Sequence, residues 1–273
     1  MESFWQSLPL SLSPVVGHIG SFSITWYSLC YILGATLSAT YFMWLARKNG
    51  LLPNVFVSID LIVTVLWGVV IGARLGYVLF YGGDEFYREP WRIISPYDFH
   101  LKEWIGIRGM SFHGGLIGGA IGLWMFTREA SRRFLDFSDA LVQAVPIALL
   151  FGRIGNFLNL EIIGRPTAVP WGMQIPFLGE ALRHPVTLYE AVGEGLILFL
   201  LLFLGSRVLK SPGRLSGLFL LSYASFRIAA EFFRTLPEGS GLVLGVLTMG
   251  QALSIGMVAV GLFLLFRPQS RVV

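Results

Sequence analysis

Blocks of about 20 apolar residues, long enough at ~1.5 Å per residue to cross a ~30 Å hydrocarbon layer, constrain this chain more than any other feature. Of its 273 residues, 55% are hydrophobic and only 13% are charged. A soluble domain carries about 25% charged residues, so the blocks are not the core of a water-soluble fold. The expected fold is an all-α integral membrane protein, one polytopic domain over residues 1–273. About seven transmembrane helices are predicted, at 21–46, 57–80, 109–127, 137–159, 186–205, 216–234 and 243–266. The lipid bilayer is thus the first expected partner.

The connections carry an orientation signal. Arg47, Lys48, Arg128, Arg132, Arg133, Arg207, Lys210, Arg214, Arg267 and Arg271 all fall on one side, in short loops. The opposite connections mix Arg88, Arg92, Lys102, Arg108, Arg165 and Arg183 with Asp84, Glu85, Glu89, Asp98 and Glu103. Short basic loops stay in the cytoplasm, which predicts an outer N-terminus and an inner C-terminus. The longer outer connections, about 81–108 and 160–185, hold several Pro and Trp residues and suit short interfacial arms or a cap. The first 20 residues carry only Glu2 as a charge, so no cleaved signal peptide is expected.

Composition and motifs remove several functions. The net charge of +4 lies in loops, with no basic run longer than two residues, so no nucleic-acid partner is expected. Cys30 is the lone cysteine, which excludes an intrachain disulfide or a thiolate metal cage. No His pair at zincin spacing, phosphate-binding loop or Gly-x-Ser-x-Gly elbow is present, so neither metal nor nucleotide cofactor is expected. Asp60 and Asp139 fall toward the inner side, unlike the paired aspartates of an intramembrane protease.

Polar residues within the spans cluster by depth. Tyr27, Arg74, His113, Arg153, Asn156, Arg227 and Glu231 all fall in the outer halves, with Asn159 and Glu161 just beyond span four. An intramembrane Arg costs from ~2.5 to more than 10 kcal/mol and faces a partner or a polar cavity. Arg227 and Glu231 stand four apart on one helix, Tyr223 and Arg234 extend their face, and the set reads either as a packing network or as part of a site. Arg153 has no acid three or four residues away, which predicts an arginine open to an external anion such as phosphate. His113 precedes small-residue pairs at 114/118 and 115/119 that permit close helix approach. It suits either a hydrogen-bonded core histidine or a proton acceptor near neutral pH. Arg74 and the His184, Tyr189, Glu190 group read as architectural. A transporter for an anionic solute is the alternative, but the polar layer lies off the midplane and no inverted repeat is evident.

The string Gly152-Arg153-Ile154-Gly155-Asn156-Phe157-Leu158-Asn159-Leu160-Glu161-Ile162-Ile163-Gly164-Arg165 resembles the signature of the prolipoprotein diacylglyceryl transferases. Further landmarks follow in order: Thr25-Trp26-Tyr27, Gly72 to Tyr77, Met110 to Leu116, Arg183-His184-Pro185, and Phe226-Arg227 through Arg234. The resemblance spans about residues 20–260. It implies transfer of a diacylglyceryl group from phosphatidylglycerol to the lipobox cysteine of a prelipoprotein, with release of sn-glycerol 1-phosphate. It places the enzyme in the bacterial inner membrane, with its active site toward the outer face and no cofactor. His113, Arg153 and Arg227 are then the expected catalytic residues. Tyr27, Asn156, Glu161, Gly164, Tyr223 and Glu231 are expected to bind substrate or orient the arginines.

Overall fold

A computed structural model describes residues 4–20, 22–82, 85–98, 102–104, 109–129, 134–235, 243 and 245–268. Asp84, Arg108, Arg132, Arg133 and Arg271, which carry part of the loop charge, lie outside the described residues. The long helices are α1 Trp26–Lys48, α2 Val55–Tyr81, α3 Phe112–Glu129 and α4 Phe134–Leu158, then α5 Val186–Val208, α6 Arg214–Glu231 and α7 Met249–Phe266. Five of them (α1, α2, α4, α5 and α7) are long and apolar enough to cross a membrane. Glycines and a terminal Arg128-Glu129 dilute α3, and Arg214, Arg227 and Glu231 fall within α6. Ile32, Val70, Leu79 and Phe263 are among many large apolar side chains left exposed on these helices. An apolar exterior over self-satisfied helical backbone is what a lipid solvent requires. The chain is a mostly helical membrane protein.

Among the described residues, two small antiparallel hairpins interrupt the helical plan, β1 Val15–Ile19 with β2 Phe22–Thr25, and β3 Tyr97–Asp98 with β4 Glu103–Trp104. The first hairpin takes the beginning of the stretch predicted as span one. Thr25 Oγ1 accepts the Ser28 amide at 3.2 Å and fixes the start of α1 at Trp26. The last helix begins later than predicted for a similar reason. Thr248 and Gln251 form a reciprocal capping box at its N-terminus. Helix α6 begins where the Asp139 carboxylate accepts the Gly213 and Ser216 amides at 2.7 and 2.8 Å.

The chain divides into two compact units, Met1–Leu45 with Asp139–Val273, and Ala46–Ser138. In the second unit, α2 and α3 meet along two glycine stripes. A Cβ at Gly76 would lie 2.6 Å from the Gly114 Cα, and one at Gly118 would lie 2.8 Å from the Gly72 Cα. Gly68 and Gly122 extend the contact by one turn at either helix. The small-residue pair at 114/118 thus finds its complement in the Gly72 and Gly76 segment of α2. In the first unit, Gly34 brings α1 onto α4, where an added Cβ would lie 2.7 Å from the Phe151 Cβ. Gly217 and Gly261 perform the same service for α6 and α7.

The N-terminal residues staple the segment before α5. Trp5 Nε1 donates to the Trp171 carbonyl at 3.0 Å, and the Gln174 amide donates to the Gln6 carbonyl at 2.9 Å. The same segment pairs with the end of α6. Gly164 and Arg234 form an antiparallel bridge, flanked by Arg165 N to Phe233 O at 2.8 Å and Thr235 N to Ile163 O at 2.9 Å.

Candidate functional site

Six charged side chains, five from three helices and one from just past α6, meet in the first unit. Arg153, on α4, donates Nε and Nη2 to one oxygen of Glu194 at 3.0 and 2.7 Å. Its Nη1 lies 3.0 Å from Glu190. The other oxygen of Glu190 faces Arg227 Nη1 of α6 at 3.4 Å, and the same Nη1 lies 2.6 Å from Glu231. Arg234, just past α6, approaches Glu190 and Glu231 more loosely, at 3.6 and 3.7 Å. Glu190 and Glu194 have fully buried side chains. Three guanidinium groups and three carboxylates cancel formally. This is the condition for keeping such charges out of water, since removing one partner of a buried pair costs about 3–5 kcal/mol.

Local backbone explains how the acids arrive there. Residues Ala191–Ile197 of α5 form a π-helical segment, a rare geometry often found at functional sites. Glu190 precedes this segment and Glu194 lies inside it. Two glycines of the segment allow close packing on both sides. A Cβ at Gly195 would stand 2.7 Å from Leu150 Cβ of α4, and one at Gly193 would stand 3.1 Å from the Phe226 ring of α6. Leu150 and Phe226 lie within one turn of Arg153 and Arg227, so the glycine contacts bring acids and arginines together. Tyr223, fully buried one turn before Arg227, lies within electrostatic reach of Arg153.

A second polar group adjoins the C-terminal end of α4. Asn156, one turn beyond Arg153, donates Nδ2 to Glu161 Oε2 at 2.7 Å, and Asn159 donates to Oε1 at 2.9 Å. Tyr27 stacks at a tilt on Tyr31, with ring centroids 4.4 Å apart, and lies within electrostatic reach of Glu161 and Arg153. Gly155 admits it: an added Cβ there would sit 3.2 Å from the Tyr27 Cα. Gly164 is pressed against the backbone carbonyl of His184, so its lack of a side chain serves protein packing. A small pocket lined by Phe157, Glu161, Gly164, Arg183, His184 and Thr187 opens beside this group.

Arg153 departs from the sequence expectation. It is not an arginine without an acid: Glu190 and Glu194 satisfy it from α5, and the four-residue helix rule sees only acids on the same helix. Arg227 and Glu231 pair as their spacing predicts. Tyr27, Asn156, Glu161, Gly164 and Tyr223 lie in the same unit as both arginines. Sequence alone does not single out Glu194 and reads Glu190 as architectural, whereas the structure joins both to Arg153. The available signal was an acid pair four apart within an apolar block, which is costly in a membrane unless paired.

In the second unit, His113 is buried in the first turn of α3, with the Phe112 ring edge-on at 5.9 Å. Arg74 is architectural, as expected. It donates Nε to the Ile93 carbonyl at 2.7 Å and Nη1 to that of Gly109 at 3.3 Å, and packs on the Phe86 ring.

A family model described as prolipoprotein diacylglyceryl transferase matches residues 14–267. The chain belongs to that family. Relatives named phosphatidylglycerol–prolipoprotein diacylglyceryl transferase agree over nearly full length. The one from Chlorobaculum tepidum is 40% identical over 275 residues, covering 98% of this chain and 94% of its own. That of Cupriavidus pinatubonensis is 39% identical, covering 94% and 93%. That of Methylocella silvestris is 41% identical, covering 93% and 92%. The family match takes in both the ionic cluster and the Asn156, Asn159, Glu161 group.

Proposed function

We propose that this chain transfers the diacylglyceryl group of phosphatidylglycerol to the lipobox cysteine thiol of a prelipoprotein. Family membership and the relatives' names support this reading and give none to a transporter for an anionic solute. The observation that carries it is the bridging of Arg153 and Arg227 by the single carboxylate of Glu190. Two guanidinium groups spaced to share one two-oxygen anion are also spaced for the two free oxygens of a phosphodiester.

In the proposed reaction, the thiolate attacks the diacylglyceryl carbon next to the phosphate. A C–S bond forms, the C–O bond breaks, and sn-glycerol 1-phosphate leaves. Arg153 and Arg227 stabilise the charge that grows on the leaving phosphate, an electrostatic contribution that is often the largest in catalysis. Among the described residues, Arg227 has donors beyond Nη1 without a hydrogen bond, and Arg234 is held loosely, so both have capacity for the phosphate. His113 accepts the thiol proton. The thiol belongs to the substrate, so Cys30 takes no part. Tyr27, Asn156, Glu161 and Tyr223 orient the headgroup or the arginines, Gly164 shapes the adjoining backbone, and Glu231 holds Arg227. The setting is a bacterial inner membrane crossed seven times by a single domain, with the N-terminus and the active site toward the outer face.

The test is release of glycerol phosphate in phosphatidylglycerol liposomes, with a lipobox peptide bearing Cys or Ser. Release that depends on Cys, and on Arg153, is the expected result. No release from folded protein, with either peptide, would remove the transferase reading.

A further inference from the structure

Resting on that reading, we propose that Glu161, braced by Asn156 and Asn159, binds the hydroxyl groups of the departing glycerol. It thereby makes the site selective for a polyol headgroup among anionic phospholipids. Glu161 differs from the other acids near the arginines. Glu190, Glu194 and Glu231 are tied to guanidinium groups, whereas no cation lies within ion-pairing distance of Glu161 among the described residues. Its oxygens are held by neutral amides, one each, at 2.7 and 2.9 Å. Each carboxylate oxygen has two acceptor directions, so one remains on each. The residue is exposed and lines the small pocket beside α4.

The backbone on both sides is held against its preference. Leu160 and Ile162 each have φ of 55°. That region is uncommon for any residue with a side chain and is a true outlier for a β-branched one. Such strain persists where the surroundings fix a functional group. Here it flanks Glu161, whose own amide is anchored to the Asn156 carbonyl at 2.9 Å.

The chemistry around the pocket matches a diol. An uncompensated carboxylate repels phosphate and accepts hydrogen bonds, so its ligand must be a donor. Arg183 also lines the pocket. Its Nη1 donates to the Gly164 carbonyl at 3.1 Å, while its buried Nε has no hydrogen-bond partner. The phosphate site is contiguous: Asn156 lies one turn from Arg153, and Gly164 bridges to Arg234. A headgroup with its phosphate among the arginines would extend its glycerol toward Glu161.

The test compares phosphatidylglycerol with phosphatidylpropanol, whose headgroup has the same carbon chain and neither hydroxyl. Wild-type protein should favour phosphatidylglycerol by at least ~100-fold in kcat/KM, because a site built for hydroxyls rejects an analogue without them. In Glu161→Gln this ratio should fall to within a few-fold of one, with Glu161→Asp between. A ratio as large in Glu161→Gln as in wild type overturns the proposal, as does a wild-type ratio near one. Should Glu161→Gln be inactive, equilibrium binding of sn-glycerol 1-phosphate and propyl phosphate decides. An affinity ratio that collapses in the variant supports hydroxyl recognition, and an unchanged ratio refutes it. Wild-type protein that makes no thioether from either lipid overturns the transferase reading itself, an outcome distinct from loss of selectivity.

Discussion

Arg153 carries most of the chemical argument at the residue scale and gives the sharpest prediction. Arg153→Ala leaves Glu194 and one side of Glu190 buried without a counter-charge. Thermal unfolding in detergent should report a loss of about 3–5 kcal/mol. Residual folded protein should release glycerol phosphate about 10²–10³-fold more slowly, because the phosphate loses a preorganised donor. Arg153→Lys should recover much of the stability and little of the rate, since a point charge cannot reproduce the planar fork. If Lys restores both, a point charge at this position suffices and the planar fork is not needed. His113→Gln should cut the rate steeply and flatten its dependence between about pH 6 and 8, where histidine titrates. A profile that keeps its shape would remove His113 as the proton acceptor. The pairing of Arg227 with Glu231 was legible because both sit on one helix four residues apart. The partners of Arg153 were not, because they come from another helix and only packing reveals which acids reach it.

At the scale of elements, the sequence marks where the helices lie better than where they begin. Hydrophobic blocks locate α1 to α7, but Thr25 and the Thr248–Gln251 box set the starts of α1 and α7 inside those blocks. A cap is a local hydrogen bond, which hydropathy does not register. The π-helical stretch in α5 was equally invisible, since its apolar pattern reads as an ordinary helix. Half of the glycine contact was legible: the 114/118 spacing announced a close approach, but not the stripe on α2 that receives it. Gly118→Leu should force α2 and α3 apart and lower stability by about 1–3 kcal/mol, as overpacking does. The control is Gly256→Ala in α7, where an added Cβ meets nothing within 4 Å. That change should be neutral or stabilise by about 0.5–1 kcal/mol through helix propensity. Equal melting temperatures for both variants would contradict the tight glycine seam.

Topology belongs to the whole molecule, and the loop charges give it a testable direction. In a Cys30→Ser background, Phe177→Cys should react with an impermeant maleimide added to intact spheroplasts. Lys210→Cys should react only when the cytoplasmic face is opened. Both positions are exposed, so access alone decides, and the reverse pattern would invert the proposed orientation. The six-residue ionic cluster has a consequence for how the donor is found. Its formal charges sum to zero, so it projects little field, and salt screens what remains beyond about 10 Å. Such a site exerts no long-range pull of the kind that accelerates capture of charged solutes from water. The lipid must instead arrive by wandering in the plane of the leaflet and be recognised only on contact. Turnover in vesicles should therefore track the surface density of the donor and stay nearly constant as ionic strength rises.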